Sequence, residues 1–196
     1  MIVQLAGLPG TGKSSLAAEL ARRLGSNALL LDKDRVRHAL FGPQHTLYTR
    51  AQDDFCVVTM FRTAAWHLRR SPGSIVILDG RTCSRAYQVE QVRRFAARVR
   101  QSLRLIECVC IDTTAEQRLR ADITHGTHPA ADRDVALYRR LTAQADPIPD
   151  PKLCLDTIEP LDECVDRALS YLNRPLHTDP DPISAGTVLP IKEAIA

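Results

Sequence analysis

Five short apolar runs, separated by helical patterns and turn signals, limit the architecture of this chain more than any other feature. They are IVQLA (2–6), ALLLD (28–32), IVILD (75–79), LRLIECVCID (103–112) and KLCLD (152–156). Val, Ile and Leu follow one another in these runs with little polar alternation, which suits strands covered on both faces, as in a parallel sheet. Between them Leu16, Leu20 and Leu24 recur at one-turn spacing over 14–24, and Gly25 supplies a stop. Segment 86–100 repeats the pattern with Val89, Val92, Phe95, Ala96 and Val99, and Leu161, Val165, Ala168, Leu169 and Leu172 mark a last amphipathic helix. A longer helical tract over about 49–70 closes at SPGS (71–74). Strand and helix alternating in this way predict an α/β fold, a three-layer doubly wound sheet.

A chain of 196 residues is most simply one domain with a self-sufficient core, expected over 1–174. Residues 175–196 carry Pro175, Pro180, Pro182 and Pro190 without periodicity and read as a flexible tail. The balance of 26 Lys+Arg against 23 Asp+Glu is too even to imply nucleic acid by itself. The apolar start has no basic leader, and no run approaches the ~18 apolar residues of a membrane span. The six cysteines are scattered with no CxxC, so they read as buried free thiols of a cytoplasmic protein. Cys108 and Cys110 alternate in an expected strand and should share one face of the core.

The stretch GLPGTGKS (Gly7 to Ser14) fits G-x-x-x-x-G-K-[ST] between an apolar strand and an amphipathic helix. Gly7, Gly10 and Gly12 let the backbone curl so that successive N–H groups converge on phosphate oxygens, with Leu8, Pro9 and Thr11 completing the loop. The helix that follows adds its positive end, Lys13 can reach the β- and γ-phosphates, and Ser14 can ligate Mg²⁺, with Ser15 beside it. The Asn-Lys-x-Asp element by which GTPases read guanine is absent.

LDKDRVRHALFG (Leu31 to Gly42) lies at the end of the second run. Together with the P-loop it resembles the small P-loop kinases of the P-loop NTPase superfamily, a group that includes adenylylsulfate kinases, polynucleotide 5′-kinases, zeta-toxin kinases and AAA_33-type domains. The resemblance implies a five-stranded parallel sheet of order 2-3-1-4-5, a small lid over about 118–134, and ATP and Mg²⁺ as cofactors. It makes Asp34 the carboxylate that accepts the proton of an acceptor hydroxyl, and Arg37 the arginine that holds the acceptor. A carboxylate at a strand's carboxyl end beside the P-loop strand is placed for that task. Read without the resemblance, DKDR is a charged first turn in which Asp34 caps a helix. Asp32 and Asp79, each ending an apolar run, are the expected Mg²⁺ partners of Ser14. Arg81 and Arg85 are the acceptor-pocket candidates in DGRTCSR (79–85).

In TTAEQRLRADITHGTHPAADRD (113–134), Arg118, Arg120 and Arg133 compete as the lid arginine, and Arg120 is favoured. The pair His125 and His128 lacks further ligands for a metal, so lid hydration or substrate contact is preferred. Thr157 follows the last run, where the resemblance passes the adenine. The lysine-rich element of adenylylsulfate kinases and the Arg-Gly pair of the polynucleotide-kinase lid are both missing, the latter replaced by His125-Gly126. The resemblance thus implies transfer of a γ-phosphoryl group to a hydroxyl of a small-molecule or nucleotide acceptor. Nucleic acid, as in a polynucleotide 5′-hydroxyl kinase, is the less favoured enzyme alternative. A nucleotide-binding regulatory ATPase module is the alternative of another class.

Overall fold

The computed structural model describes residues 1–125 and 134–175. The apolar runs form β1 (Ile2–Ala6), β2 (Ala28–Asp32), β3 (Ile75–Asp79), β4 (Leu103–Val109) and β5 (Leu153–Asp156), all paired in parallel in the order β2-β3-β1-β4-β5. The helices are α1 (Lys13–Leu24), α2 (Lys33–Phe41), α3 (Arg50–Arg70), α4 (Ala86–Arg98), α5 (Asp112–His125), α6 (Val135–Gln144) and α7 (Leu161–Leu172).

Because side chains alternate along each strand, one residue set faces each helical layer. Val3, Leu5, Ile77, Ile106, Cys108 and Leu155 pack with Leu16 and Leu20 of α1 and with Val165 and Ala168 of α7. Ile2, Ala6, Val76, Leu78 and Leu105 face the other way, toward Met60 and Ala64 of α3 and Val89, Val92 and Phe95 of α4. The rings of Phe61 and Phe95 stack at 4.3 Å and tie α3 to α4. Each large aliphatic side chain buried in this way contributes about 1.5–3 kcal/mol from its removal from water. The expected doubly wound sheet and its strand order are the observed ones.

Two local expectations fail at strand ends. β4 stops at Val109, and Asp112 already begins α5, so Cys110 has left the sheet. Cys108 is fully buried in the α1/α7 layer, whereas Cys110 packs beside Ala115, Leu119 and Tyr138 in a small separate cluster under the P-loop. All six thiols are free, but Cys154 is exposed and Cys110 half-buried, so burial is not common to the set. Helix α5 extends to His125, into the segment expected as a lid over about 118–134, and α6 begins just after it at Val135. Among the described residues, no helix is long and apolar enough to cross a membrane.

The two-sided core predicts how substitutions divide. Ile106→Ala, at a fully buried position, should lower unfolding free energy by about 2–5 kcal/mol, while Leu47→Ala, at an exposed one, should change it little. Urea denaturation followed by circular dichroism measures both, and equal effects would contradict the layer assignment.

Candidate functional site

All five strands run in one direction, so β1, β2 and β3 deliver Gly7, Asp32 and Asp79 to the same edge of the sheet. Ligands of open α/β sheets bind at this carboxyl edge. The loop from β1 to α1 has positive φ at Gly7, Gly10 and Gly12. At Gly7 a Cβ would stand 2.3 Å from the Cys108 carbonyl oxygen, so only glycine lets the loop lie against β4. The loop is closed around one carbonyl. The Thr11 hydroxyl donates to Leu8 O at 2.8 Å, and Lys13 Nζ donates to the same oxygen at 2.6 Å.

Two cavities meet at Lys13 and Ser14. The larger, about 660 Å³, is bounded by Gly12, Lys13, Ser14 and Ser15 on one side and by Arg118 and Thr157 on the other. Arg118 spans the two walls. It donates to Thr157 Oγ1 at 3.0 Å and to Thr157 O at 2.7 Å, and its Nη1 reaches Gly10 O at 3.5 Å. Arg120, two residues further along α5, lies on another face, paired with Glu116 at 3.4 Å and 67% exposed. Helix register separates them, because residues two apart do not share a face. Thr157 lines the larger cavity, and Arg120 does not. His128 and Arg133, with the side chain of His125, lie outside the described residues.

The smaller cavity, about 260 Å³, opens on the other side of Lys13 and Ser14 and is lined by Lys33, Asp34, Arg37, Tyr48, Asp53 and Arg81, with Arg85 and Arg140 also on its wall. The Asp34 carboxylate accepts from Arg37 Nη1 at 2.6 Å and has Lys33 Nζ at 3.5 Å. Arg37, only 3% exposed, also bonds Asp53 through Nη2 and lies 5.1 Å from the Tyr48 ring. Arg81 donates to Asp54 at 2.8 Å, and Arg85 donates to Gln144 Oε1 at 3.1 Å.

Asp32 and Asp79 lie opposite each other in the β2–β3 register. Gly80, with φ 87°, allows the close approach of the next turn; a Cβ there would stand 2.8 Å from Lys33 Cβ. Asp32, not Asp34, caps α2, accepting from the Asp34 and Arg35 amides at 2.8 and 3.3 Å. That frees Asp34 to face the cavity from the first turn. Asp79 is almost wholly buried, with the Ser14 hydroxyl nearby. Burial pushes its carboxyl above the ordinary value of 3.8, opposed chiefly by the nearby Lys13 charge. Its Oδ1 has no partner among the described residues. An orphaned, buried carboxylate oxygen beside a hydroxyl is a donor set suited to a hard divalent cation, directly or through water.

Sequence reasoning missed Asp53, Asp54 and Tyr48, and the α6 residues Leu137 and Arg140. The adjacent acidic pair in the first turns of α3 was the one available signal, and without the fold it reads as an ordinary charged helix start.

A P-loop between β1 and α1, on a parallel sheet of order β2-β3-β1-β4-β5, defines the P-loop kinase and NTPase fold. The chain belongs to the AAA_33 family, an AAA domain, whose profile matches residues 2–144. It is similar to a putative kinase from Chloroflexus aurantiacus, with 22% identity and TM-score 0.69, covering 87% of this chain and 97% of that one. It is also similar to APS kinase CysC of Mycobacterium tuberculosis, solved with AMPPNP and APS: 21% identity, TM-score 0.64, covering 88% and 97%. A gluconokinase from Sinorhizobium meliloti shares the fold at 15% identity and TM-score 0.61, covering 87% and 90%. No curated protein matches the chain.

Buried Asp79 sets a pH dependence. Its raised pKa means that the folded form holds the proton more tightly than the unfolded chain. The associated stability is therefore complete below 3.8 and is lost as pH rises from there through the folded-state value. In metal-free protein, Asp79→Asn should flatten that part of the stability–pH curve and leave the protein no less stable at neutral pH. Thermal melts in chelator across pH 3–7 test this, and a neutral-pH loss would mean that the ionised carboxylate is stabilising.

Proposed function

We propose that this protein is an ATP- and Mg²⁺-dependent kinase that moves the γ-phosphoryl group to a hydroxyl of a small molecule or nucleotide. The observation that carries this reading is the common wall of the two cavities. Lys13 and Ser14 face a large cavity on one side and, on the other, a small one that holds the Asp34 carboxylate. A phosphate chain lying along the P-loop would end where the cavities meet, within reach of an acceptor in the smaller one.

In this reading the P-loop amides and Lys13 hold the donor phosphates, and the helix α1 terminus adds its partial positive charge. Arg118 and Thr157 border the rest of the nucleotide; Arg118 takes the donor-side role for which Arg120 was favoured. Ser14, Asp79 and, from the adjacent strand end, Asp32 would hold Mg²⁺, which when bound neutralises phosphate charge. Asp34 receives the proton of the acceptor hydroxyl. Arg37 and Lys33 hold the Asp34 carboxylate in place, so Arg37 acts on the acceptor through Asp34. Arg81 and Arg85 shape the acceptor wall. Positioning and electrostatics supply most of the rate in phosphoryl transfer, and this arrangement provides both. A cavity of about 260 Å³ suits a small molecule better than a strand of nucleic acid.

The test is γ-labelled ATP against a panel of nucleosides, nucleotides, sugars, antibiotics and 5′-hydroxyl oligonucleotides. A labelled product is expected, with Asp34→Asn lowering turnover by about 10²–10⁴-fold while ATP affinity holds. Unlabelled acceptors throughout, with Asp34→Asn neutral in every assay, would leave a nucleotide-binding module as the better account.

A further inference from the structure

Beside Lys13, which the donor side shares, the smaller cavity is lined by the buried cations Lys33, Arg37 and Arg81, which at first sight prepare it for an anionic acceptor. Their partners argue otherwise. Asp53 takes both Arg37, through Nη2, and Lys33, at 3.1 Å, and Asp54 takes Arg81 at 2.8 Å. With Asp34 on Arg37 Nη1, each of these three cations has a carboxylate partner that offsets its charge at the cavity floor.

Of the two carboxylates with no role in the proposed chemistry, Asp53 and Asp54, Asp53 is the one that lines the cavity. It comes from α3, in the helix's first turn, where the helix dipole favours a negative charge. It is 38% exposed and lines the cavity, whereas the Arg37 that it grips is 3% exposed. Both terminal nitrogens of the Arg37 guanidinium are bonded to carboxylates, so an incoming anion would compete with them, and beside Asp53 it would meet like charge at contact distance. Arg85 and Arg140 stand further out on the wall, where water screens them.

We propose that Asp53 determines acceptor specificity: by occupying Arg37 and Lys33 it reserves the cavity floor for an uncharged, hydroxyl-bearing end of the acceptor and excludes a carboxylate or phosphate there. The proposal rests on the phosphotransfer reading for its meaning, but charge exclusion at the floor can be measured without turnover.

The probe is inorganic sulfate, titrated calorimetrically into wild type, Asp53→Asn and Asp53→Glu. The P-loop takes sulfate alike in all three, so the difference reports the cavity floor. Asp53→Asn should gain a sulfate site at least about tenfold tighter than anything wild type shows there, as expected when one like charge at contact is removed. Asp53→Glu should stay like wild type, and Asp53→Asn/Arg37→Met should lose the gained site. Equal sulfate binding by wild type and Asp53→Asn overturns the proposal, and would place any anion on Arg85 and Arg140 instead. Should Asp53→Asn fail to fold, Asp53→Ser serves in its place.

The second arm uses wild type alone, with γ-labelled ATP and matched acceptors, sorbitol against gluconate and nucleoside against nucleoside monophosphate. Preference for the neutral member supports the proposal; preference for the anionic one overturns it. In Asp53→Asn the KM for the anionic member should fall more than kcat changes, a split that a merely structural role would not produce. A gained sulfate site without any labelled acceptor keeps the charge exclusion and removes the kinase reading, so the two failures are distinct.

Discussion

The burial of the Asp79 carboxylate at the end of β3 is the constraint around which the rest of the site is arranged. β3 pairs with β1 on one side and β2 on the other, so its last residue lies between the P-loop and Asp32. Burying an acid costs free energy, and here the hydroxyl of Ser14 and the charge of Lys13 offset part of that cost. The glycine that follows allows α2 to start close by, and α2 in turn carries Asp34 to the cavity. A strand order that separated β3 from β1 would part Asp79 from Lys13 and Ser14.

The layers and the phosphate-binding loop were legible because each depends on local chemistry. Continuous apolar runs encode strands buried on both faces, and glycines at fixed spacing encode a backbone that only glycine can adopt. Asp32 and Asp79 could be placed at one edge because they end strands, and Asp34 follows Asp32 by two residues; strand ends share an edge whatever the loops do. What stayed hidden depended on rotation or on distance. Choosing between Arg118 and Arg120 requires the angular register of α5 against the P-loop, which a weakly amphipathic segment does not disclose. The capping role went to Asp32 instead of Asp34 because the helix begins two residues earlier than a cap at Asp34 would place it. The β4 boundary was overrun because the run LRLIECVCID stays apolar past the point where the last inter-strand pair forms at Val109.

Asp53 and Asp54 illustrate the second kind of blindness. They lie about twenty residues beyond Asp34, in a helix whose inward face is read from Cys56, Met60 and Ala64, and nothing in that periodicity marks its first turn as part of a cavity. Only the packing of α2 on α3 brings Asp53 onto Arg37 and Lys33, while Asp54 takes Arg81 from the loop after β3. Charge-compensated clusters of this kind cannot be identified from residue type, since each member alone looks like an exposed surface charge. Their meaning comes from the shared burial of the guanidinium between them.

The wall formed by Lys13 and Ser14 has a thermodynamic corollary. Two compartments that share side chains cannot fill independently, because an occupant of either one fixes the rotamers and charge that the other must meet. Linkage makes that influence mutual: whatever factor the first guest imposes on the second, the second returns in equal measure. On the proposed reading, two residues of one short loop would couple donor and acceptor occupancy in this domain.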